Sequence, residues 1–121
     1  MMKGLGLDLC QIARMKGLVA QGRFLERYFT ESERAYILGK NKAAAQTAAG
    51  MYAAKEAFLK AAGTGLAGAA LREIEVVHSP AGQPGLRLYG RAAALAQGCA
   101  CLVTITHEAN MAAAVVILQE Q

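Results

Sequence analysis

The chain opens on an alternating pattern. Leu5, Leu7 and Leu9 fall on one face of an extended segment and Asp8 on the other, the period-two signature of a β-strand. From Ala13 to Phe29 the apolar positions follow a helical period, interrupted near Gly22. The run Thr30-Glu31-Ser32-Glu33 has a threonine followed three residues later by a glutamate. That is a capping box, and it predicts a short helix through about Leu38. GKNK (39–42) is a loop. AAAQTAAGMYAAKEAFLKAA (43–62) is the longest helix, rich in alanine and closed by Gly63. Gly50 in its middle costs about 1 kcal/mol relative to alanine, which predicts close approach of another backbone there. In LREIEVVHS, Ile74, Val76 and His78 alternate against Glu73, Glu75 and Val77. A turn with two prolines and two glycines follows, then the strand LRLYG and a short helix ended by Gly98. Residues 100–119 form two strands joined by a tight turn near Glu108–Asn110. Strands are grouped and do not alternate with helices. The prediction is an α+β fold, a mainly antiparallel sheet packed against a long helix, with no internal repeat and a single domain over 1–121.

Composition narrows the class. The chain has 121 residues, 55% hydrophobic and 18% charged, as a globular domain does. No apolar run approaches the ~20 residues that span a bilayer. Asp8 breaks the N-terminal apolar run, which argues against a signal peptide. The expectation is a cytoplasmic protein without a membrane partner. Cys10, Cys99 and Cys101 are odd in number, and Cys99 and Cys101 share one face of a strand. They suit reduced, partly buried thiols better than a zinc site. A net charge of +4 fits an acidic partner: nucleic acid, a phosphorylated cofactor or an acidic protein. The basic residues are spread through an amphipathic stretch, at Arg14, Lys16, Arg23, Arg27 and Arg34, then Lys40 and Lys42.

Three side chains stand out by location. Asp8 is a carboxylate within an apolar strand. Glu56 is a carboxylate on an alanine-rich helix. His107 ends the apolar strand VTITHE. Each alone has a plain explanation: a solvent-facing edge residue, a surface residue, a hydrogen-bonded structural histidine. Glu56 and Lys60 lie four apart, one turn from each other, and suit a surface ion pair equally well. Together the residues suggest more. Two carboxylates and a few waters make a Mg²⁺ site that substrate phosphates complete. Lys60, one turn from Glu56, can neutralise charge on a phosphate, and Lys40 and Lys42 could hold another.

The chain resembles the holo-acyl-carrier-protein synthase family, the small bacterial 4′-phosphopantetheinyl transferases. The resemblance rests on five segments in order: GLGLDLCQIAR (4–14), RFLERYFTESE (23–33), AGMYAAKEAFLKAAGTG (49–65), GQPGLRLYGRA (82–92) and VTITHEANMAAAVVIL (103–118). The third is the most specific, a lysine–glutamate pair followed by a lysine and Gly63-Thr64-Gly65. The resemblance implies transfer of 4′-phosphopantetheine from coenzyme A to a serine of apo acyl carrier protein, releasing adenosine 3′,5′-bisphosphate. It implies that Asp8 and Glu56 hold Mg²⁺ with the diphosphate. Lys60 then stabilises charge on that diphosphate, and His107, with Thr106 beside it, lies near the coenzyme. Glu56, Lys60 and His107 are the implied catalytic set. Lys40, Lys42, Gly63, Thr64 and Gly65 join the coenzyme site. Arg14, Arg23 and Arg27, with apolar Leu18 and Phe24, are implied to dock the acidic carrier protein. Lys55 is either cofactor-facing or a solvated neighbour. The family is typically a homotrimer with active sites shared between subunits, an arrangement that the small residues of the long helix suit.

Two positions depart from the family. Met51 stands where many members have an arginine that helps bind the coenzyme's phosphates, and this raises the weight on Lys40 and Lys42. Thr104 stands where the family has a serine, and a hydroxyl is kept. Other readings of the same residues are a basic nucleic-acid-binding domain without catalysis, a Mg²⁺-dependent phosphohydrolase, and a family member that binds carrier protein without transfer.

Overall fold

The computed structural model describes residues 1–121. Strand β1 (Met2–Gln11) leads into helices α1 (Ile12–Ala20), α2 (Gly22–Tyr28) and α3 (Glu31–Leu38). A 3-10 turn at Asn41–Ala43 opens the long helix α4 (Ala44–Ala61). Hairpin β2 (Ile74–His78) and β3 (Pro84–Leu88) follows, then α5 (Gly90–Leu95). Strands β4 (Cys99–Glu108) and β5 (Met111–Glu120) close the chain. The predicted α+β order holds. One antiparallel sheet has the order β1-β5-β4, and β2–β3 stands apart as a two-stranded sheet. No helix is long and apolar enough to cross a membrane.

Local chemistry sets the element ends. Thr30 caps α3: its hydroxyl accepts from the Glu33 N–H, and the Glu33 carboxylate accepts from the Thr30 N–H at 2.8 Å. Helix α4 closes with Gly63 at φ 78°, its N–H donating to Lys60 and the Thr64 N–H to Leu59. This satisfies the last carbonyls in a Schellman turn. At the β4–β5 turn, the Asn110 side chain and carbonyl accept from the N–H groups of Ala13 and Ile12. The hairpin tip is thereby tied to the start of α1.

The leucines of β1 do not face the core. Leu5, Leu7 and Leu9 are more than half exposed, while Gly4, Gly6, Asp8 and Cys10 face α4. A Cβ on Gly4 would run into the carbonyl of Ala61, and one on Gly6 into that of Ala57. The close backbone approach therefore lies at the C-terminal half of α4, and the strand supplies the glycines. Gly50 is a correction to the expectation: its neighbour is the Ile105 side chain. Its missing Cβ makes room for a methyl group, not for backbone. These contacts also define the path of α4, which crosses the sheet from β4 at Gly50 to β1 at Ala61. Helix α4 packs within this chain, against β1, β5 and α1.

Lys55 corrects a second expectation. It neither faces a cofactor nor meets solvent, and its side chain is fully buried. Its ammonium donates to Glu33 Oε1 at 2.7 Å, to the Leu71 carbonyl at 2.9 Å and to the Ile74 carbonyl at 2.7 Å. Glu33 Oε2 accepts the Val76 N–H at 2.8 Å. Breaking such a pair leaves an uncompensated buried charge. We expect Lys55→Met to destabilise the chain by about 3–5 kcal/mol, measured as a lowered urea midpoint.

Candidate active site

The C-terminal half of α4 lies over β1, so Glu56 and Lys60 meet Asp8. Lys60 Nζ is 2.9 Å from Asp8 Oδ1 and donates to the Leu7 carbonyl at 3.0 Å. Lys60 thus pairs across to the strand and not with Glu56 on its own helix. The hydrogen bond and charge of Asp8 raise the Lys60 pKa. Glu56 is half-buried beside Asp8. Burial first, then the charge of Asp8 and a hydrogen bond to it, push the Glu56 carboxyl up to about 7, against the pull of Lys60 and Arg14. Two carboxyls this close cannot both ionise freely. The donors suit a hard divalent cation: two carboxylates on firm elements, whose mutual repulsion a cation would remove. No group of three or more His, Cys, Asp or Glu gathers anywhere in the fold, so this site offers two carboxylates and leaves the remaining ligands to water and substrate.

His107 lies at the far end of β4, across the sheet from β1 and over the other flank of α4. Its Nε2 is 3.1 Å from Gln46 Nε2 in the first turn of α4, ten residues and about 15 Å of helix rise before Glu56. A cleft of about 390 Å³ opens there, lined by Tyr36, Lys40, Gln46, Thr47, His78 and His107 among others. Within one chain the structure therefore makes two clusters: Asp8–Glu56–Lys60, and the His107 cleft. Lys40 lines the His107 cleft. Lys42 lines an adjoining hollow with Lys16 and Asn110, and Ala43 and Gln46 border both. Thr106 points to the opposite face of the sheet from His107, because neighbours on a strand alternate. Gly63, Thr64 and Gly65 form an exposed turn just beyond Lys60, with Gly63 and Gly65 at positive φ.

A family model described as the 4′-phosphopantetheinyl transferase superfamily matches residues 4–116. The chain belongs to this superfamily. The holo-[acyl-carrier-protein] synthase of Treponema denticola is 43% identical, over 98% of this chain and 99% of its own length. That of a Geobacter strain is 42% identical over 98% and 99%. Among solved structures, the Bacillus anthracis synthase, in complex with CoA (3′,5′-ADP), superposes with a TM-score of 0.86 at 31% identity, covering 100% of this chain and 99% of that one. The Neisseria meningitidis synthase does so at 0.88 and 28% identity, over 99% and 100%.

In this family member the basic surface is built on α1 and α2. Arg14, Arg23 and Arg27 are exposed, while Leu18 and Phe24 are half-buried. Phe24 packs against Tyr28, Phe29 and Tyr52, with ring centroids 5.1, 6.2 and 5.6 Å away. The Arg27 guanidinium lies 5.5 Å from the centre of the Tyr28 ring. Beside them is an apolar hollow of about 370 Å³ lined by Tyr28, Tyr52, Leu66 and Leu71. Sequence reasoning missed Tyr52 as a surface residue next to Glu56, although its spacing of four signals a shared face. It also missed Gln46, Tyr36 and His78, whose meeting depends on tertiary contacts that no local pattern announces.

The Glu56 carboxyl carries a pH prediction. Above about 7 it is ionised and available to a cation, and below that a proton competes. We expect the affinity of the chain for Mn²⁺ or Mg²⁺ to fall as pH drops through 7, approaching tenfold per unit. Titration calorimetry on either side of neutrality checks this, and Glu56→Gln should abolish the dependence.

Proposed function

We propose that residues 1–121 act as one domain that moves 4′-phosphopantetheine from coenzyme A to a serine of apo acyl carrier protein, with Mg²⁺ held by Asp8 and Glu56. The observation that carries this reading is the convergence of Asp8, Glu56 and Lys60 in a chain that matches the superfamily over nearly its full length. Mg²⁺ on the two carboxylates supplies charge neutralisation for the diphosphate. The Lys60 side chain is about half exposed, so its ammonium can turn from Asp8 and the Leu7 carbonyl toward a phosphate oxygen. Phosphoryl transfer rests on such positioning and charge compensation more than on covalent help. In the reaction, the serine oxygen–phosphorus bond forms, and the phosphorus–oxygen bond to adenosine 3′,5′-bisphosphate breaks. The Lys40–His107 cleft is the candidate for the nucleotide end of the coenzyme.

The two clusters lie on different flanks of α4. This supports a homotrimer in which the carboxylate pair of one subunit meets the nucleotide cleft of the next. Leu5, Leu7, Leu9 and Leu102, 51–59% exposed on the outer face of the sheet, offer an apolar surface for that contact. Carrier protein docks on Arg14, Arg23 and Arg27: charge sets the approach, and Leu18 and Phe24 hold the complex. The work takes place in the cytoplasm.

Intact-mass spectrometry tests the proposal. Chain, apo acyl carrier protein, coenzyme A and Mg²⁺ should give a carrier heavier by one phosphopantetheine. The gain should vanish without metal and fall at least a hundredfold with Glu56→Gln, as losses of electrostatic stabilisers do. Coenzyme A cleaved without carrier would favour a phosphohydrolase. No cleavage, with nucleic-acid affinity that collapses in salt, would favour a binding domain.

A further inference from the structure

We propose that His78 recognises the 3′-phosphate of coenzyme A and so sets the preference of this chain for coenzyme A over its 3′-dephospho form. The inference rests on the transferase reading above and deepens it. It starts from the cleft that holds His107. Lys40, His78 and His107 bring nitrogen to its walls, and no aspartate or glutamate lines it. Such a cleft favours an anion, and a phosphate monoester near neutral pH carries close to two charges. Met51 lines the same cleft, 1% exposed, at the position where the family resemblance leads one to expect an arginine. It contributes apolar wall and no charge. Within one chain Lys42 lines the adjoining hollow and not this cleft.

His78 is positioned for the task. It ends β2 opposite Pro84 of β3, and its imidazole lies flat on the Tyr36 ring, centroids 4.0 Å apart and planes 8° from parallel. The stack fixes the ring plane, and His78 lines the cleft. The charged and titratable groups around it are Lys40 and Tyr36 from α3 and its exit, His107 from β4, and Arg87 from β3, which shares a second shallow hollow with it. Burial, then the Lys40 charge, lowers the His78 pKa, and no carboxylate pulls it back. The free ring thus gives up its proton more readily than an ordinary imidazole. A phosphate dianion brings the missing negative charge, so phosphate and proton bind together. The contribution of His78 should grow as pH falls, until the phosphate itself is protonated.

Steady-state transfer with coenzyme A and with 3′-dephospho-coenzyme A tests this at about pH 6 and about pH 8, the range in which imidazole titrates. His78→Gln should raise KM for coenzyme A about tenfold, the scale of one charge-assisted hydrogen bond. KM for the dephospho form should rise much less. Wild type should prefer coenzyme A more strongly at the lower pH, and His78→Arg should keep the preference at both. Calorimetry with adenosine 3′,5′-bisphosphate against adenosine 5′-monophosphate should show the same loss without turnover. Equal losses for both donors, or an unchanged preference in His78→Gln, would overturn the inference while leaving the transferase reading intact. A wild-type chain inactive with both donors would remove both.

Discussion

The buried Lys55–Glu33 pair is the constraint on which the rest depends. One ammonium joins α4 to α3, to the turn at Leu71 and to β2, spending all three of its protons on acceptors. One carboxylate joins the α3 cap to the N–H of β2. No buried side-chain nitrogen or oxygen is left without a partner, which a buried charge pair needs if it is not to be a net cost. A neighbouring net extends it: Glu75 accepts from Thr30, Ser32 and Tyr89. These hydrogen bonds outweigh burial and hold its carboxyl below the usual range. Once Lys55 is fixed, the rotation of α4 is fixed. Glu56, the next residue, and Lys60, one turn on, then fall on the flank that faces Asp8.

Strand β1 makes the complementary demand. Its inner face must be nearly bare, because the Ala57 and Ala61 carbonyls occupy the space where side chains would be at Gly4 and Gly6. Asp8 is the next inward position and reaches the flank of α4 past its small residues. The outer face of the same strand carries leucines that this chain leaves more than half exposed. One ten-residue strand thus supplies a metal-ligand candidate on one side and an apolar contact surface on the other.

Much of the fold was legible in local pattern. The Thr30–Glu33 box, the alternation of β1, the alanine-rich helix and its glycine stop each act within a few residues, and the structure has each of them. The cluster of Asp8, Glu56 and Lys60 was legible in part: spacing placed Glu56 and Lys60 on one face but paired them with each other, when Lys60 reaches Asp8. What stayed hidden depends on long-range contact. Lys55 looks like one more charge beside Glu56, and its burial is set by Glu33, 22 residues away. The resemblance set His107 near the coenzyme, and no local pattern shows that α4 stands between it and the carboxylates within one chain. Tyr36 and His78 come from separate elements and stack only in the folded chain.

The central claim is that each active site joins the carboxylate cluster of one subunit to the His107 cleft of another. Subunit complementation tests it most directly. Glu56→Gln and His107→Ala chains, each inactive alone, are mixed, unfolded and refolded together, and transfer is measured. If sites are shared, about a quarter of those in randomly mixed trimers pair an intact cluster with an intact cleft, and activity returns to that order. A mixture that assembles yet stays as inactive as its parents would contradict the account.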